Sequence, residues 1–331
     1  MAKIFIASIL SLSVLAAAPA WAQSQCSMTQ YASVPMVMSQ WDIPTVPVRI
    51  NGEERRFFLD TSAWYSAVSS EALAELHLKI SSPIPNQSNS LGRFGLDAFE
   101  VKLTTRAQSF DVGNAHGKNI TLYVIPNGVM PEGIAGILSL SSLRALDVEL
   151  DYGDGKLNLY LTKNCTGAEV VRWTQSPVAA WHFELQSPVG PYASTQPSNV
   201  IMTSPRIETI VKGTLDGHEI AAALDTGRSI SAMSLNRARQ LLEAAAPQAA
   251  LAPIEPPHSF PWGVNPSAKF YKPAFQSLEL EGVEIKDPNI IVVDPLVFSH
   301  DLLLGNSILS RFHLYIANSQ KIIYVTGAST H

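Results

Sequence analysis

Two stretches of this chain share one set of spacings, and that repetition constrains the fold more than any other feature of its 331 residues. In the first, Asn51-Gly52 precedes an apolar run that ends in Asp60-Thr61-Ser62; in the second, Asp216-Gly217 precedes a run that ends in Asp225-Thr226-Gly227. Each Asp lies eight residues after its turn glycine, with a serine six residues later (Ser66, Ser231) and a leucine sixteen residues later (Leu76, Leu241). Further on, Ile137-Leu138-Ser139 and Leu303-Leu304-Gly305 fall at nearly equal distances from the two aspartates. A lone Asp-Thr-Gly says little, because Asp and Gly are ordinary turn residues. Two copies with equal spacings on both sides mark an internal duplication.

Paired Asp-Thr-Gly motifs, each followed downstream by two apolar residues and a Gly, resemble the aspartic proteases of the retropepsin and pepsin clan. Two copies in one chain resemble its fused, bilobal members, such as pepsin and bacterial periplasmic retropepsin-like proteins. The resemblance implies an all-β fold of two homologous lobes with a substrate cleft between them, a catalytic dyad of Asp60 and Asp225, and no cofactor. It implies that Thr61 and Thr226 hydrogen-bond across the axis between the lobes, and that Gly227 lets its turn approach closely.

The first lobe departs from the family at Ser62 and Ser139, which stand where the family has Gly. Ser62 keeps a backbone N–H for Asp60, with some strain if the position needs a positive φ. Ser139 falls at the packing step beneath the turn. The second lobe departs at Arg228, where the family has a small residue and where the first lobe has Ala63. Two orientations are open for Arg228. Turned inward, its guanidinium pairs with Asp225; turned outward, it lies along the rim with its head in water. In this family a hairpin of the first lobe covers the cleft; the candidate for it is Gly92-Arg93-Phe94-Gly95, with Phe94 against substrate, and the alternative is an ordinary Gly-containing loop.

Peptide hydrolysis needs a water nucleophile, a base to deprotonate it and an acid to protonate the carbonyl and the leaving amine. Two carboxylates about 3 Å apart meet all of these needs by sharing one proton, since like charges that close do not both ionise. The resemblance therefore implies an aspartic endopeptidase acting on a peptide or protein substrate. The departures leave a second reading, an impaired homologue that binds peptides or envelope proteins in the same cleft. Other chemistries lack their residues: there is no Gly-x-Ser-x-Gly elbow, no His or Cys ligand spacing for a metal, and no Gly-rich phosphate loop. A net charge of −5 gives no basic face for nucleic acid.

Residues 1–22 read as a secretory signal peptide: Lys3, an apolar run from Ile4 to Ala18, then Ala20-Trp21-Ala22 as a cleavage site. No second run of spanning length follows, so a periplasmic or secreted monomer without a stable membrane span is expected. The two cysteines, Cys26 and Cys165, are expected to pair in that oxidising setting, against the alternative of two free thiols.

The periodicities place strands at 46–50, 56–59, 147–152, 207–211, 219–224, 275–280, 290–293 and 313–316. Helices are expected at 70–78, capped by Ser69 or Ser70, and at 235–246, capped by Ser234. Residues 27–36 read as a polar lead-in. The first lobe is expected over 37–162 and the second over 206–327. Between them, 163–205 is Pro-, Ser- and Thr-rich and reads as a linker that packs on the lobes through Trp173, Trp181 and Phe183.

Overall fold

The computed structural model describes residues 25–63, 65–83, 103–186, 208–245, 251–257, 268–295 and 300–328. The signal-peptide reading of 1–22 and the Gly92-Arg93-Phe94-Gly95 hairpin, with Phe94, lie outside the described residues. Within them the chain is almost entirely β. Its strands form one 8-stranded sheet and one 15-stranded sheet.

The aspartates are delivered in the same way in both halves. In the first, Asn51-Gly52 joins strands Pro44–Ile50 and Glu53–Asp60, which pair antiparallel. Asn51 and Gly52 take positive φ (50° and 91°), the conformation that matches a two-residue turn to strand twist. In the second half Asp216-Gly217, also with positive φ, joins Glu208–Leu215 to His218–Leu224. Both turns are pinned alike: Asn51 Oδ1 accepts from the amides of Gln108 and Ser109, and Asp216 Oδ1 from those of Gln276 and Ser277. Each Asp-bearing strand then lies parallel to the later apolar motif. Glu53–Asp60 pairs with Gly136–Ser139, and His218–Leu224 with Leu302–Leu304. That motif pairs in turn with the short strand after the Asp turn, Ala67–Ser69 or Ser231–Ser234.

A short helix follows each of those strands. Ser70–Glu75 is capped by Ser69, whose Oγ accepts from the Ala72 amide. Leu235–Ala245 starts after Ser234, whose Oγ accepts from the Arg237 amide. In the first half, Pro44–Ile50 also pairs with Leu103–Val112, so that sheet closes on itself around Phe57, Leu59, Phe110 and Leu138.

The halves meet in six antiparallel strands, ordered Ser27–Pro35, Lys156–Lys163, Asp147–Asp151, Phe312–Ala317, Ile322–Gly327 and Ala179–Gln186. The order reads the same from either side of the central pair, in which Val148 faces Ile316 and Leu150 faces Leu314. Residues 27–36, read as a lead-in, thus form an edge strand. Within 163–205, Ala179–Gln186 forms its counterpart and buries Trp181 and Phe183.

A disulfide joins Cys26 to Cys165, next to the paired ends Ser27 and Lys163, and closes a span of 139 residues. Among the described residues no helix is long and apolar enough to cross a membrane. A crosslink over so long a span stabilises mainly by restricting the unfolded chain. Cys165→Ser is expected to lower the unfolding free energy by about 2–5 kcal/mol in urea titrations. Non-reduced peptide mapping should recover Cys26 and Cys165 in one linked fragment.

Candidate active site

Each Asp emerges at the end of a strand whose last residues are sealed in the core: Phe57, Phe58 and Leu59 before Asp60, and Ala222, Ala223 and Leu224 before Asp225. The two turns that follow are interlocked. The Thr61 hydroxyl donates to the Leu224 carbonyl (2.8 Å) and accepts from the Thr226 amide (3.0 Å). The Thr226 hydroxyl donates to the Leu59 carbonyl (2.8 Å) and accepts from the Thr61 amide (3.0 Å). All four bonds are buried, and each links one half to the other. Gly227 then passes directly against Asp60: a Cβ there would overlap the Asp60 carboxylate, so the second turn has room only for glycine.

The carboxylates are buried, Asp60 at 8% and Asp225 at 2% exposure, and they are held differently. Asp60 Oδ1 accepts from the Ser62 amide (2.8 Å), the Ser62 hydroxyl (2.9 Å) and the Ala63 amide (2.8 Å). Ser62 does this without a positive φ, so the strain expected from replacing glycine does not arise, and its hydroxyl adds a donor that glycine lacks. Burial first, and the Asp225 charge second, push the Asp60 carboxyl up from 3.8 to about 6, against the lowering effect of those donors.

Arg228 turns inward. Its Nε donates to Asp225 Oδ2 at 2.5 Å, with the two side chains 12% and 3% exposed. The rim orientation is therefore corrected: the cation is in the site.

The turns are buttressed from beneath by matching serines. Ser66 Oγ accepts from the Ser139 amide and Ser231 Oγ from the Gly305 amide. Ser139 also donates its hydroxyl to the Ala63 carbonyl (2.5 Å). In the second half the carbonyl at the equivalent place, that of Arg228, is held by Asn306, whose Nδ2 donates to the carbonyls of Thr226 and Arg228 at 2.7 Å each. Asn306 Oδ1 accepts from the Tyr152 hydroxyl (2.8 Å), which reaches over from the first half. Sequence reasoning missed both residues. Asn306 directly follows the Leu303-Leu304-Gly305 motif and was open to suspicion on that ground; no pattern marks Tyr152. Among the described residues no cluster of His, Cys, Asp or Glu side chains is arranged to hold a metal ion.

A family model described as aspartyl protease matches residues 46–141, the span that holds Asp60-Thr61-Ser62 and Ser139. That part of the chain is similar to the aspartyl protease family. The crystal structure of edgp superposes with a TM-score of 0.52 at 8% identity, over 90% of this chain and 94% of that one. At that identity the likeness concerns architecture alone, and it identifies the two sheets and their shared central strands as the bilobal aspartic protease fold. Basic 7S globulin from soybean is also similar, with a TM-score of 0.49 at 9% identity over 92% of this chain and 96% of that one. No curated protein matches the chain.

Two outcomes follow for stability. Thr226→Val removes one hydroxyl and leaves the Thr61 amide and Leu59 carbonyl without a partner in a sealed site. The expected loss is at least about 2 kcal/mol, read by urea denaturation. A carboxyl whose folded pKa is raised costs stability as pH rises, because the folded state resists ionising it. Asp60→Asn is therefore expected to be more stable than the wild type at pH 7, on the order of 2 kcal/mol. That advantage should shrink as pH falls through about 6 and vanish below 3.8, which melts over a pH series will show.

Proposed function

We propose that the chain is an aspartic endopeptidase, with Asp60 and Asp225 as a dyad that activates water against a peptide bond. One observation carries the reading: two buried carboxylates, delivered by equivalent strand ends, lie close enough that burial first and the charge of Asp225 second raise Asp60 to about 6. One proton on the pair is then the resting state over an acidic range. In the first step the ionised carboxylate of the pair takes a proton from water, the water oxygen bonds to the peptide carbonyl carbon, and the protonated carboxyl passes its proton to the carbonyl oxygen. In the second, the carboxylate that gave up its proton takes one back from a hydroxyl of the tetrahedral diol, C=O re-forms, the C–N bond breaks, and the leaving nitrogen is protonated by the other carboxyl, which restores the singly protonated pair. Ser62 and the amides of Ser62 and Ala63 hold Asp60 in place throughout, and Thr61 and Thr226 keep the two turns in register. No cofactor enters these steps.

The substrate is a peptide or protein lying between the lobes, and the chain acts as a monomer in a periplasmic or secreted setting. The Cys26–Cys165 disulfide supports an oxidising compartment. A second reading, a homologue that binds peptides without cleaving them, draws support from Arg228, which occupies one oxygen of Asp225.

Incubation with denatured casein and with a fluorogenic peptide, with and without pepstatin, separates the two readings. Pepstatin-sensitive cleavage, abolished in both Asp60→Asn and Asp225→Asn, is the expected result. The rate should fall as pH rises through about 6, where Asp60 loses its proton. Binding of peptide with no cleavage at any acidic pH would establish the second reading, and activity surviving in either variant would place the chemistry elsewhere.

A further inference from the structure

The two Asp turns follow the same strand plan and lock onto each other through matching threonines, but the donors on the two carboxylates differ, and only one of them carries a charge. Three residues after Asp60 stands Ala63, which offers Asp60 only its backbone N–H. Three residues after Asp225 stands Arg228, whose backbone N–H goes to the Asp225 carbonyl (3.2 Å) and whose side chain goes to the carboxylate. A guanidinium does not lose its proton in a protein. In a site this dry, a permanent cation in contact acts on a carboxylate far more strongly than a neutral donor does. Asp60 faces the opposite situation. Its Oδ1 is filled by three neutral donors, its Oδ2 faces Gly227, and the charge that acts on it is the negative one of Asp225.

We propose that Arg228 is a positioning residue of the dyad: seated on Asp225 Oδ2, it keeps that carboxylate ionised and so assigns the single shared proton to Asp60. The proposal rests on reading the pair as a working dyad and adds which member is the acid and which the base. A symmetric pair divides one proton between two equivalent sites; this pair does not. With the cation present, the singly protonated site is electrically neutral rather than negative, which favours that state over a wider span of acidic pH.

The position of Arg228 is itself built in. Asn306 binds the Arg228 carbonyl through both its amide N–H (2.8 Å) and its Nδ2 (2.7 Å), and Tyr152 fixes Asn306. The first half holds the corresponding carbonyl of Ala63 with two serine hydroxyls, Ser139 (2.5 Å) and Ser141 (3.4 Å), and no amide side chain. Other ionisable groups near the turns are few among the described residues. Tyr152 is pushed far up by burial and stays neutral. Arg144 reaches a cavity of about 20 Å³ beneath Thr61 and Leu224, between the turns and the central strands Asp147–Asp151 and Phe312–Ala317, and is the second cation to control for.

The test is the pH dependence of kcat/KM on a fluorogenic peptide for the wild type, Arg228→Ala, Arg228→Lys and Arg144→Met. Carboxyl carbon NMR titration of Asp60 and Asp225 runs alongside and needs no turnover. The acidic limb should move to higher pH by about one to three pH units in Arg228→Ala and stay near its wild-type position in Arg228→Lys, which keeps the charge. In the NMR titration the wild type should take up its proton near pH 6 at Asp60, and Arg228→Ala should spread that uptake over both carboxyls. An unmoved limb with uptake still confined to Asp60 in Arg228→Ala overturns the proposal, as does a limb that moves in Arg144→Met instead. Faster cleavage by Arg228→Ala at every pH also overturns it, making the arginine a block. If no variant cleaves peptide, the protease reading fails on the activity assay, while the proton assignment is still decided by the two carboxyl titrations.

Discussion

Four hydrogen bonds between Thr61 and Thr226 and the strand ends beside them hold the two aspartates in register. Each hydroxyl serves as donor to one half and acceptor from the same half's partner turn, so neither threonine can be satisfied alone. Buried polar groups that lack partners are expensive, which makes the joined arrangement strongly preferred over any that separates the turns. The close passage of Gly227 against Asp60 depends on this lock. Without it, two carboxylates in a dry space would drive the turns apart.

The rest of the architecture supplies the rigid frame that such a lock needs. The six-stranded joint places Asp147–Asp151 and Phe312–Ala317 side by side at its centre, with Val148, Leu150, Leu314 and Ile316 on the side that faces the lobes. Alternate residues face away and carry polar groups: Asp147, Glu149, Asp151, His313 and Tyr315. Tyr152 comes directly after the first of these strands, and this is how it reaches Asn306. The joint therefore positions the second turn through side chains as well as through the backbone.

Much of this was legible in the sequence because duplication makes spacing informative. The Asn51-Gly52 and Asp216-Gly217 turns, the capping serines Ser69 and Ser234, and the paired serines Ser66 and Ser231 all sit where the repeat places them. The outermost strands of the joint were not legible. Ser27–Pro35 is an edge strand with most of its side chains exposed, so it lacks a clean alternation. Ala179–Gln186 lies in a Pro- and Ser-rich neighbourhood whose composition reads as linker. Arg228 shows a different limit: a motif says where a residue attaches to the backbone, but a long side chain turns according to which carboxylate lies within reach. The partners of Asn306 are settled only by packing, since one of them, Tyr152, is 154 residues away.

Comparison of two buried carboxylates shows what makes the dyad chemically distinct. Glu149, in the joint, accepts from Asn158 (2.6 Å), Tyr160 (2.8 Å) and His313 (2.9 Å). His313 is stacked on Trp173, with ring centroids 4.3 Å apart. Burial pushes Glu149 up, but the hydrogen bonds from His313, Asn158 and Tyr160 and the charge on His313 outweigh it and hold its carboxyl below the usual range. Asp60 is buried too and also accepts three hydrogen bonds, yet it ends about two pH units above its ordinary value. Donor number does not separate the two cases; burial raises Asp60 most, and the neighbouring charge adds to it there and opposes it at Glu149. With His313, Asn158 and Tyr160 donating to it, Glu149 favours its ionised form. Beside a second carboxylate, which is itself held by Arg228, Asp60 becomes a group that keeps a proton into mildly acidic solution and has somewhere to send it. The fold produces both from the same kind of side chain through burial and choice of partner.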